Sequence, residues 1–181
     1  HKAITNQDLD DAVKKVTVGL EKHSRIISDK DKKLTAFHEA GHAIVSRYLE
    51  TQNDIKEVSI IPRGVAGGYT MYKTNEDKYY ISKTEMEEKM ISLLGGRAAE
   101  KIALDDISTG ASNDLEVATK IAKDMVTVYG MSENLGPVSL KTDDPNELLI
   151  YGEKIEDVIG AEVKILMDTA YNLSLIHISE P

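Results

Sequence analysis

His38-Glu39-Ala40-Gly41-His42 is the pentapeptide of this chain whose residue types and spacing most directly imply chemistry. On a helix advancing about 100° per residue, the two histidines lie about 40° apart, one turn above the other, so both imidazoles can converge on one ion. Glu39 falls at the edge of that face, within reach of a water held by the ion without being a ligand itself. A zinc ion that keeps an open position lowers the pKa of its water to about 7. The pattern therefore predicts hydrolysis, with Glu39 taking a proton as the water attacks a peptide carbonyl and passing it to the departing amine. The plain alternative is a chance pentapeptide on an amphipathic helix. The strong helical context and the small Ala40-Gly41 pair weigh against it.

A catalytic zinc takes a third protein ligand. His1 is terminal, His23 sits in a charged connector and His177 lies in an apolar tail, so each reads as solvated surface. Two carboxylates remain: Glu100, in Gly95-Gly96-Arg97-Ala98-Ala99-Glu100, and Asp114, in Ser108-Thr109-Gly110-Ala111-Ser112-Asn113-Asp114-Leu115. Glu100 has a structural alternative as a helix-end charge pairing with Arg97. Asp114 has one as a residue favoured at a helix N-terminus by capping or the dipole. Periodicity leaves the two near even. A short side chain fixed in a first helical turn makes the more rigid ligand, which leans toward Asp114 and leaves Glu100 open.

The elements that must position these groups follow from capping and period. Ser28-Asp29-Lys30-Asp31 reads as a capping box with Asp in place of Glu, opening a helix with apolar Leu34, Phe37, Ile44, Val45 and Tyr48. Ser82-Lys83-Thr84-Glu85 is a second box, starting a helix through Met86, Met90, Leu93 and Leu94 to about Ile102. Thr109-Gly110-Ala111-Ser112 is turn chemistry, and the next helix carries Leu115, Ala118, Ala122, Met125 and Tyr129 before Gly130 ends it. A first segment places Leu9, Val13 and Val16 at helical spacing, and a last helix is expected from about Lys154 to Tyr171. Asp143-Asp144-Pro145-Asn146 reads as a surface loop. Residues 57–62 and 68–72 are rich in Val, Ile, Tyr and Thr and flank Arg63-Gly64-Val65-Ala66-Gly67, which predicts an antiparallel pair. The expected fold is mainly α, with a small antiparallel β insertion.

Composition narrows the class. The 181 residues carry 22 Lys+Arg against 31 Asp+Glu, a net charge of −9 that disfavours a nucleic-acid partner. Cysteine is absent, so cysteine nucleophiles and Cys-based zinc sites are excluded. A purely structural zinc site, normally closed by four protein ligands and often by Cys, is correspondingly disfavoured. No run approaches a membrane span, and the polar start is unlike a signal peptide, so a soluble segment is expected. No Gly is followed by Lys, which excludes a G-x-x-x-x-G-K-[ST] nucleotide loop.

Several segments in the same order resemble the FtsH family of membrane-anchored AAA zinc proteases. They are Thr35-Ala36-Phe37-His38-Glu39-Ala40-Gly41-His42-Ala43, the 95–100 and 108–115 segments, Ile60-Ile61-Pro62-Arg63-Gly64 with Gly68-Tyr69-Thr70, and Met131-Ser132-Glu133-Asn134-Leu135-Gly136-Pro137. The likeness runs from about residue 5 to 140 and more loosely to 171. It implies one zinc per chain held by His38, His42 and Asp114, with Glu39 as catalytic base and Glu100 in a supporting place beside a ligand. It further implies a homo-hexameric ring in which an AAA ATPase threads unfolded or membrane-derived polypeptides into a chamber. For the full-length protein it implies the cytoplasmic face of the bacterial inner membrane, with ATP acting only through an ATPase domain outside this segment.

By the same resemblance, residues 1–28 are the end of the ATPase lid helix plus a connector, and residues 29–171 are the zinc-peptidase domain. Residues 172–181 depart from the family's charged helix as an apolar run and read as a non-native tail. The strand of Gly67, Gly68, Tyr69, Thr70 and Met71 is expected to offer an edge for pairing with an extended peptide; the alternative is a plain hairpin. The class-different rival is a non-catalytic substrate-binding or ring-assembly module. Retention of Glu39, His38, His42 and Asp114 argues against it.

Overall fold

The computed structural model describes residues 3–21, 27–64, 67–73, 78–142, 152 and 154–180. His1, most of the charged connector with His23, and the 143–146 loop lie outside the described residues. The chain runs α1 (Asn6–Thr17), α2 (Asp29–Arg47), β1 (Ile55–Ser59), β2 (Tyr69–Tyr72), α3 (Lys83–Leu104), a 3-10 turn (Thr109–Ala111), α4 (Ser112–Thr127) and α5 (Ile155–Ser179). The mainly helical class with one small antiparallel sheet is as expected.

Local chemistry starts the helices where the sequence places them. Ser82 and Glu85 form both arms of a capping box, with the Glu85 N–H donating to Ser82 Oγ at 3.2 Å and the Ser82 N–H to Glu85 Oε2 at 2.9 Å. At Ser28 the hydroxyl accepts the Asp31 N–H at 3.1 Å but donates to the Asp31 carboxylate at 2.7 Å, so the Asp31 arm goes to the hydroxyl. A box that escaped the sequence reading, Thr5 with Asp8, opens α1. No α1 residue is buried; Lys14 pairs with Glu57 at 2.5 Å and Asp10 with Lys56 at 2.9 Å, which ties α1 to β1. Gly130 ends the α4 turn at φ +59°, and a Cβ there would come within 3.1 Å of Pro137 Cα.

The core joins α2, α3, α4 and α5. Val45, Leu49, Met90, Ile91, Leu94, Ala118, Ala122, Met125 and Ala170 are buried in one cluster. Its distinctive feature is the crossing of α2 over α3. A Cβ on Gly41 would stand 2.3 Å from the Gly95 carbonyl oxygen and 2.6 Å from Ala99 Cβ. The two backbones therefore touch, as only glycine permits.

Two expectations shift. β1 begins two residues earlier than read and stops at Ser59, because β2 supplies only four residues for pairing, from Ile55↔Tyr72 to Ser59↔Tyr69 with a bulge near Glu57. Pro62, which has no N–H to give a ladder, lies beyond it. The last helix runs past Tyr171 to Ser179, since Ala170, Ser174 and Ile178 continue one inward stripe. Ser174 is fully buried, its Oγ 2.7 Å from the Ile91 carbonyl oxygen, and the His177 ring stacks on Tyr48 at 6.0 Å.

Gly41→Ala is expected to destabilise the fold by about 1–3 kcal/mol, since the added methyl must separate two backbones in contact. A denaturant midpoint equal to that of the parent chain would show that the crossing tolerates a side chain.

Candidate metal centre

α2 presents His38, Glu39 and His42 toward α3 and α4, all three less than a tenth exposed. Asp114 enters from the first turn of α4, where the helix dipole favours a carboxylate. Its Oδ2 lies 3.3 Å from His38 Nε2 and 3.4 Å from His42 Nε2, and the two Nε2 atoms are 3.1 Å apart. Four-coordinate zinc with bonds of about 2.0–2.1 Å requires ligand atoms about 3.3–3.4 Å apart. The three donors thus form one face of a tetrahedron of the right size, with a nitrogen–nitrogen–oxygen set that suits zinc. Among the described residues this is the one group of three His or acidic side chains drawn together in this way.

The imidazoles are aimed by groups behind them. His42 Nδ1 lies 2.8 Å from the Ser92 carbonyl oxygen, which can only accept, so Nδ1 carries the hydrogen and the Nε2 lone pair faces the donor triangle. His38 Nδ1 lies 2.7 Å from Glu100 Oε1, and Glu100 Oε2 accepts the Ser108 N–H at 2.7 Å. Glu100 is fully buried with both oxygens engaged, on the far side of the His38 ring from Asp114. It therefore orients a histidine and stands outside the ligand triangle. Arg97, its expected partner in the structural alternative, lies over the Tyr171 ring instead.

Burial pushes the Asp114 carboxyl up, but hydrogen bonds and charge from His38 and His42 outweigh it and hold it well below the ordinary carboxylate range. Burial likewise pushes His38 down, while hydrogen bonds to Asp114 and Glu100 carry it above the ordinary histidine value. Glu39 meets a different partner: its Oε2 accepts the Thr70 hydroxyl at 2.7 Å. The donors and Glu39 open onto a cleft of about 460 Å³ bounded on one side by β2. Gly67, Gly68, Tyr69 and Thr70 line this cleft, whereas Met71 lines a separate hollow with Val13 and Thr17. Sequence reasoning missed Ser92 and Ser108, which act through the backbone and leave no side-chain signal.

This arrangement is a candidate metal site: a helical H-E-x-x-H motif faced by a carboxylate from a later helix that together could hold an ion. The sequence matches the model of peptidase family M41 over residues 25–180. It is 51% identical over 178 residues to ATP-dependent zinc metalloprotease FtsH 1 of Thermoanaerobacter sp. (strain X514), covering 94% of this chain and 29% of that protein. It is 49% identical over 176 residues to ATP-dependent zinc metalloprotease FtsH of Caldicellulosiruptor bescii, covering 93% and 29%. FtsH 4 of Synechocystis sp., also described as an ATP-dependent zinc metalloprotease, is 40% identical over 183 residues, covering 96% and 29%. The chain belongs to peptidase family M41. It spans less than a third of the length of these relatives.

Asp114→Ala removes a donor and is expected to empty the site at zinc concentrations that fill the parent chain. Glu100→Ala should weaken zinc binding about 10- to 100-fold, the usual cost of losing a ligand's orienting partner. Metal analysis of both variants checks this ranking, and the opposite order would reassign the third ligand. Because zinc replaces a proton on His38, zinc affinity should begin to fall, as pH decreases, already above the ordinary histidine pKa of about 6.5.

Proposed function

We propose that this chain is the peptidase domain of an FtsH-type ATP-dependent zinc metalloprotease and hydrolyses peptide bonds of unfolded polypeptides. The observation that carries this reading is a zinc-sized donor triangle with a non-ligating, buried Glu39 beside it on one open cleft. Zinc, when bound by His38, His42 and Asp114, supplies a Lewis acid that acidifies water and polarises a carbonyl oxygen. Glu39 accepts the proton of the attacking water at its carboxylate. As the carbon–nitrogen bond breaks, it returns that proton to the departing amine nitrogen. Glu100 and the Ser92 carbonyl keep both imidazoles in the tautomer the site needs.

β2 gives the site a way to hold substrate. It pairs with β1 on one edge, and among the described residues no strand covers the other. An extended peptide laid along Gly67, Gly68, Tyr69 and Thr70 is held through its backbone, which suits a protease that reads shape before side chains. Residues 1–28 then serve as the end of an ATPase module and a connector, with the peptidase unit beginning at residue 29. In the longer protein the ATPase, a homo-hexameric ring and a membrane anchor at the cytoplasmic face of a bacterial inner membrane deliver unfolded or membrane-derived chains to the cleft. No helix among the described residues is long and apolar enough to cross a membrane.

The purified chain should hold about one zinc and digest casein, lose that activity to a chelator and regain it with zinc. Glu39→Gln should keep the metal and lower cleavage at least about 10²-fold; undiminished cleavage would remove Glu39 as the base. For the strand, a peptide substrate N-methylated on alternate amides should lose affinity in only one of the two alternating patterns, since a strand edge offers hydrogen bonds at every second residue. Equal turnover of both patterns and the unmodified peptide would leave β2 as a plain hairpin.

A further inference from the structure

β2 presents alternate residues to the helix that carries the site, as its pleat requires. Gly68, Thr70 and Tyr72 all face α2. A Cβ on Gly68 would lie 3.1 Å from Glu39 Cγ and 2.6 Å from Thr35 Cγ2, so the strand backbone rests on the stem of Glu39. Two residues on, the Thr70 hydroxyl donates to Glu39 Oε2 at 2.7 Å; its 3.3 Å approach to the Glu39 carbonyl oxygen is the weaker alternative for the same hydrogen. Two residues further, Tyr72 Oη lies 3.1 Å from Ser46 Oγ and 3.2 Å from Ser92 Oγ, and those serines are 2.7 Å apart. That hydroxyl ring fixes the strand to α2 and to α3 beside the carbonyl that orients His42.

We propose that Thr70 is a positioning residue for Glu39, its hydroxyl anchoring one carboxylate oxygen so that the other stays turned into the cleft for the attacking water. Among the described residues no other donor is hydrogen-bonded to that carboxylate. Glutamate has three rotatable side-chain bonds, and among the described residues no other hydrogen bond holds the end of this one. Threonine suits the task because its β-branched side chain is stiff at χ1, and a half-buried strand fixes its backbone. The same strand that receives the peptide thereby sets the base, so the distance from base to scissile bond is built into one element. This inference rests on the assignment of Glu39 as base made above.

Thr70→Val keeps the shape and branch and removes the donor; Thr70→Ser keeps the donor. In the zinc-loaded 181-residue chain, Thr70→Val should lower kcat about ten- to hundredfold, the cost of a modest misplacement of a catalytic group. KM should stay within about twofold, since ground-state binding is untouched. Zinc content should be unchanged, and Thr70→Ser should keep most of the parent kcat. Binding of a labelled extended peptide to zinc-loaded Glu39→Gln, which does not turn over, should be the same with and without Thr70→Val. A parental kcat in Thr70→Val, an equal loss in Thr70→Ser, or a loss confined to KM and peptide binding would overturn the proposal. If Thr70→Val fails to fold, Thr70→Ala carries the same expectations. The two levels separate cleanly: an inert Glu39→Gln with a fully active Thr70→Val defeats this inference alone, whereas an active Glu39→Gln defeats the base assignment beneath it.

Discussion

The backbone contact between α2 and α3 at Gly41 and Gly95 is the constraint on which the site depends. Any side chain at Gly41 would hold the helices apart, since its first carbon would already overlap a carbonyl oxygen. With the helices in contact, His38 and His42 lie flat enough against α3 to be gripped from behind. Ser92 lies one turn before the crossing on α3 and gives its carbonyl to His42; Glu100 lies one turn after and takes His38. A smooth crossing with a polar group on either side is what aims two histidines at helical spacing toward one point, as candidate ligands.

That geometry places a carboxyl group in the interior, which is costly unless its hydrogen bonds are made. Glu100 meets the requirement by taking the His38 Nδ1–H with one oxygen and the Ser108 N–H with the other. The second bond does further service. Ser108 stands just before the 3-10 turn that leads into α4, and Asp114 occupies the first turn of that helix. One buried side chain thus links the element bearing two donors to the approach of the element bearing the third. The donor triangle is the meeting point of three helices held by a short set of directional contacts.

The sheet follows the same logic. Two strands of five and four residues form too small a ladder to stand alone, and they persist because side chains pin them to the helices. Thr70 on Glu39 and Tyr72 on Ser46 and Ser92 anchor the inner face of β2, while Tyr69 on the opposite face donates its hydroxyl to Glu57 at 2.5 Å. Among the described residues no strand pairs with the other edge of β2. A strand built this way is tied to α2 at Glu39 through Thr70.

The sequence by itself determined the helices, the starts of α2 and α3, and the candidate donors His38 and His42. Capping residues, helical spacing and the H-E-x-x-H pattern are local, and local signals survive without knowledge of what packs against them. It also narrowed the third ligand to Glu100 or Asp114. Only the tertiary structure sets the two apart in space: Asp114 approaches the Nε2 side of the His38 ring and Glu100 its Nδ1 side. The strand limits and the reach of the last helix were likewise decided there, by a four-residue partner and by a buried stripe continued through Ser174 and Ile178. Ser92, Ser108 and the Thr70–Glu39 bond were invisible beforehand for one reason. They act through backbone groups or single hydroxyls whose partners are distant along the chain, and no spacing rule encodes such a meeting.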